Sequence, residues 1–154
     1  MLFRSSFEAI KAGAFGFSTS RTISHKSCNG EFTPTLKAHE SELNAIAEGL
    51  KDANGGFMEI VSDWNEPNPE EEFEVLRRIA KNTNRPIGFT CNQRHERTKY
   101  WNDLMRFARE VKNEKLSIRP VVAPRPIGIL LGLNGSQNPF SGTASYKKIE
   151  HLSL

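Results

Sequence analysis

The sequence predicts an α/β fold built on a parallel sheet, and three observations predict it. Apolar segments of strand length alternate with amphipathic helical segments four times, at a spacing of about 30 to 45 residues, as βαβ units do. The run Ala12-Gly13-Ala14-Phe15-Gly16-Phe17 passes without a break into Ser18-Thr19-Ser20-Arg21. That is how a buried parallel strand reads when it lies between helices and ends at a functional mouth. Right-handed crossovers then bring every strand C-terminus to one edge, where ligands bind in open sheets and closed barrels alike.

Residues 2–11 carry Leu2, Phe3, Phe7 and Ile10 at helical spacing. The strand at 12–21 follows, with Gly13 and Gly16 read inside it as points of close backbone approach. A polar loop over 22–35 holds Asn29-Gly30 and Pro34. Residues 36–52 read as a helix with Leu43, Ile46, Ala47 and Leu50 on one face, stopped by Asn54-Gly55-Gly56. A second strand spans 57–62. The helix over 70–82 opens on Glu70-Glu71-Glu72, where acids suit the helix dipole, and turns Phe73, Leu76, Ile79 and Ala80 inward. A third strand spans 86–91, a helix 96–112 and a fourth strand 117–123. Residues 127–154 form a less regular tail that begins apolar. The whole chain, 1–154, reads as one domain of about four βα units.

Composition narrows the classes. The apolar share of 37% and charged share of 25% suit a soluble globular protein, and the formal charge of +3 is small. There is no basic stripe with interleaved aromatics, which points away from nucleic acid. No run approaches the length of a membrane span. Residues 1–25 are rich in Ser and Arg, but Glu8 and the glycine-rich strand argue against a transit peptide. Cys28 and Cys91 lie far apart and suggest reduced thiols in a cytoplasmic protein.

The strand ends supply the candidate site. Ser18, Ser20, Arg21 and His25 follow the first strand, Asp63 and Trp64 the second, Asn92 and Gln93 the third, and Arg125 the fourth. Asp63, directly after a buried strand, is the candidate catalytic carboxylate, although aspartate also suits a turn cap there. Arg125 lies between two prolines that stiffen its backbone, and a planar guanidinium on a rigid base suits a carboxylate. Cys91 reads as a small buried hydrophobe. The chain holds no HxH, HExxH, CxxC, phosphate-binding GxGxxG or nucleophile elbow. These residues define a mouth but not a reaction.

One resemblance adds a reaction. Residues 12–21, Ala-Gly-Ala-Phe-Gly-Phe-Ser-Thr-Ser-Arg, resemble the "AGA-x-G-x-S" strand of the D-aminoacylase branch of the amidohydrolases. The likeness continues at Thr33-Pro34-Thr35, Glu59-Ile60-Val61-Ser62-Asp63, Ala123-Pro124-Arg125-Pro126-Ile127-Gly128, Leu131-Gly132-Leu133 and Asn138-Pro139-Phe140. Tyr146, Ile149 and Leu152 fit as well, so it covers nearly the whole chain. The relatives are those described as N-acyl-D-aspartate or D-glutamate deacylases. The resemblance implies a metal-dependent (β/α)8 barrel that hydrolyses N-acyl amides, with zinc activating water and an aspartate carrying the proton. Family chains are considerably longer, so this chain corresponds to an internal part of a TIM-type barrel.

The chain departs from the pattern at the metal. The better-known deacylases carry one ligand histidine where Val61-Ser62-Asp63 stands and another where Thr90-Cys91-Asn92-Gln93 stands. The family's metal-binding Cys and catalytic Asp fall on strands outside this chain. Zinc is therefore expected from the family, with no ligand among these residues. The expected substrate is a small N-acyl amino acid. The alternative is a non-catalytic or truncated α/β binding domain, with an open flavodoxin-type sheet as the structural variant. Four strands leave two unpaired edges that invite self-association.

Overall fold

A computed structural model describes residues 1–62, 69–92, 98–126, 128, 130–135 and 138–152. Helix α1 spans Leu2–Lys11, strand β1 Gly16–Arg21, α2 Glu40–Asp52, β2 Phe57–Ser62, α3 Pro69–Thr83, β3 Ile87–Thr90, α4 Thr98–Asn113, β4 Ile118–Val121 and α5 Ala144–Lys147. The four strands form one parallel sheet in the order β1-β2-β3-β4. Alternating helices and parallel strands make the fold α/β, as the patterning predicts. The order has no reversal, which sets it apart from a flavodoxin-type sheet.

Each strand is entered the same way. A left-handed residue stands three positions before the strand: Gly13 (φ 105°), Asn54 (φ 55°), Asn84 (φ 53°) and Lys115 (φ 60°). After α1, α2 and α4 the next amide reaches back five residues, Ala14 to Ala9, Gly55 to Leu50 and Leu116 to Val111. That bond satisfies a carbonyl the helix end would leave open. Gly13 thus belongs to the turn that ends α1, not to the strand. Gly16 does need close approach, because a Cβ there would overlap the Phe57 carbonyl oxygen. The helix expected over 36–52 starts later. Pro34–Lys37 forms a separate 3-10 turn, and His39 caps α2 by accepting the Ser41 amide at 3.3 Å.

Strand register sorts the side chains into two faces. Met58 lies beside Ile87, Ile60 beside Phe89, and Ile87 beside Ile118. This face is buried against Leu43, Ala47 and Leu50 of α2, Phe73, Leu76 and Ile79 of α3, and Leu104, Phe107 and Val111 of α4. Phe73 stacks on Phe107 at 4.4 Å and meets Phe89 edge-on at 5.5 Å. Ion pairs join the helices, among them Arg78 to Glu40 at 2.7 Å and Arg106 to Glu70 at 2.9 Å. They sit in solvent, where screening leaves an ion pair little net stabilisation. The opposite face holds Ser18, Phe57, Glu59, Gly88, Arg119 and Val121, and Ser18, Phe57, Arg119 and Val121 there are exposed. Among the described residues the strands therefore carry helices on one face only, where the sequence pattern places the first strand between helix layers.

Both outer edges are partly blocked. The Ser117 and Val121 carbonyls accept the Ile87 and Cys91 amides, so Pro120 falls on the outer side of β4 and removes one donor there. On β1, the outward Ser20 carbonyl accepts the Thr35 hydroxyl at 2.6 Å. No described helix is long and apolar enough to cross a membrane.

Candidate functional site

The parallel sheet brings the ends of β1, β2, β3 and β4 to one rim. Ser20 and His25 meet there, Oγ to Nδ1. Arg21 is held from two sides. Its Nε and Nη2 donate to the two carboxylate oxygens of Glu72 at 2.6 and 2.9 Å, and Nη1 donates to the Ala38 carbonyl at 2.6 Å. Ser62 Oγ donates to the same Glu72 at 2.8 Å. Glu72 in the first turn of α3 thus ties together the ends of β1 and β2. The carboxylate that Arg21 grips is the chain's own Glu72.

Asn92 follows β3 and is exposed. Arg125, past β4, is exposed and has no ion pair among the described residues. Ser18 lies one layer below the rim on the open face, beside Glu59. Asp63, Trp64 and Gln93 fall outside the described residues.

Residue patterning did not single out Glu59 as a site residue. Its carboxyl stands over Gly88, where a Cβ would fall on Glu59 Oε2. It makes no hydrogen bond or ion pair among the described residues. Burial pushes its pKa up from the ordinary glutamate range. Arg119 stands one strand further along the same row. The signal was a single charge inside the apolar run Phe57-Met58-Glu59-Ile60-Val61. In a strand covered on both faces such a charge has no place.

Cys91 is fully buried on the helix side, and burial pushes its thiol up to about 11. Among the described residues no three His, Cys, Asp or Glu side chains converge to hold a metal ion. The described residues do not fit the zinc that the family resemblance implies. No known family model matches this chain, and neither does any curated protein or solved structure.

Proposed function

We propose that this chain forms four consecutive strands of a (β/α)8 barrel of the D-aminoacylase type, a cytoplasmic hydrolase acting on the C–N bond of N-acyl amino acids. One observation carries the reading. The strands run in chain order with their helices on one face and a polar row on the other. A closed barrel has that layout, with the polar row turned inward and the strand ends at the active mouth. Fold alone does not assign chemistry. The chemistry rests on the residues of the resemblance and on Arg125, which is exposed beyond β4 and free to take a carboxylate in two-point fashion. In the hydrolysis, water adds to the acyl carbon, the C–N bond breaks, and the amino acid leaves with a proton. Asp63 remains the candidate proton carrier on sequence position alone. The described residues offer no ligand set for zinc, so no step is assigned to a metal. The free cysteines suit a reducing compartment. The two half-blocked sheet edges are where self-association would begin.

Titration of the chain with N-acetyl-D-alanine, followed by amide NMR, tests the reading. We expect saturable shifts in the segment around Arg125, and at least a tenfold loss of affinity in Arg125→Ala, the usual cost of removing a charged hydrogen-bonding partner. A wild-type spectrum unchanged by the N-acyl amino acid overturns it.

A further inference from the structure

We propose that Glu59 and Arg119, one on each side of Gly88 on the open face of the sheet, form a site for a small zwitterion of the α-amino acid class. Glu59 would take the ammonium and Arg119 the carboxylate. The site is separate from Arg125 and does not depend on it.

Register places Glu59 beside Gly88 and Gly88 beside Arg119. Neighbouring strands stand about 4.8 Å apart, so β2 and β4 are separated by roughly 10 Å. Gly88 leaves the space above β3 empty of any side chain of its own, and the Glu59 carboxyl has moved into it. Val121 borders the same space, its Cγ2 3.2 Å from where a Gly88 Cβ would stand. Glu59 and Arg119 have opposite charge, share one row, and make no ion pair with each other or with any other described residue. An unpaired carboxylate that is partly desolvated gains from a cation, and burial has already raised the pKa of this one. A molecule carrying ammonium and carboxylate a few ångströms apart supplies both missing partners at once.

The probe is alanine, titrated into the folded chain and read by amide NMR, with circular dichroism to verify each variant's fold. In the wild type, shifts should centre on Ser18, Glu59, Gly88 and Arg119. E59Q and R119M should each weaken alanine binding at least tenfold. Alaninamide keeps the ammonium and lacks the carboxylate, so it should respond to E59Q and ignore R119M. G88A adds a Cβ where the flexible Glu59 carboxyl now sits. It should keep the fold, displace that carboxyl and lose alanine. Equal alanine binding by wild type and E59Q, or shifts confined to the region of Arg125, would overturn the proposal and leave the barrel reading standing. Alanine bound at this row by a chain that ignores N-acetyl-D-alanine would sink the hydrolase reading and support this site.

Discussion

Phe89 and Phe57 sit on neighbouring strands and turn to opposite faces of one sheet. Phe89 is wholly buried and touches the Phe73 ring, which in turn stacks on Phe107. Phe57 is 43% exposed, in the layer next to Glu59. The covered face is continuous apolar packing from three helices. The open face mixes Ser18, Glu59 and Arg119 with Phe57 and Val121. The same backbone therefore divides two tasks. One face supplies the packing that holds the fold. The other displays polar groups, Glu59 and Arg119, that have no ion pair among the described residues and whose burial would weaken the fold unless a partner satisfied them.

Substitutions can sharpen or break this contrast. Phe89→Ala should cost about 3–5 kcal/mol in denaturant unfolding, because it removes a ring and opens a cavity beneath Phe73. Next in size is Arg21→Met. The Arg21 and Glu72 side chains are only 13% and 20% exposed, and the change leaves Glu72 without its two-point partner. We expect a loss of about 2 kcal/mol, below the full cost of a wholly buried pair. Phe57→Ala should cost under about 1 kcal/mol, since much of the ring is already in water. If it matched Phe89→Ala, the face would be covered in solution by something else, and the contrast would fail.

The smallest effect has the opposite sign. Burial raises the Glu59 pKa above its unfolded value of about 4.3, so the fold disfavours the ionised form. The stability linked to this group is fully present below that unfolded value and is lost as pH rises through the raised folded one. Glu59→Gln should therefore be the more stable chain at pH 7. The difference should close below about pH 4. A pH-independent difference in thermal unfolding would refute the burial argument. A gain in stability joined to a loss of alanine binding would mark Glu59 as kept for binding at the expense of folding.

Much of the fold was legible because its periodicities are strong. The helix over 2–11 and the strand over 57–62 fall where the structure has them, and α3 and α4 differ from their expected spans by a residue or two at each end. The misread start of α2 is a matter of local chemistry, since Pro34 and the His39 cap break what looks like one helical run. Gly13 was misplaced because glycine marks both turns and close strand approaches. Of the candidate site, the shared rim was legible from the parallel reading. The capture of Arg21 by Glu72 was not, because these residues lie 51 positions apart. Nothing local in Glu70-Glu71-Glu72 marks the third carboxylate as the one that turns back to the strands.

The order of apolar and polar residues along the chain was enough to specify four βα units and the direction of their strands. Backbone hydrogen bonding and side-chain periodicity act over a few residues, and each segment carries its own. Which face the helices cover, and which charges find partners, was decided only when the segments packed. Both depend on distances between residues remote in sequence, and no local pattern encodes those.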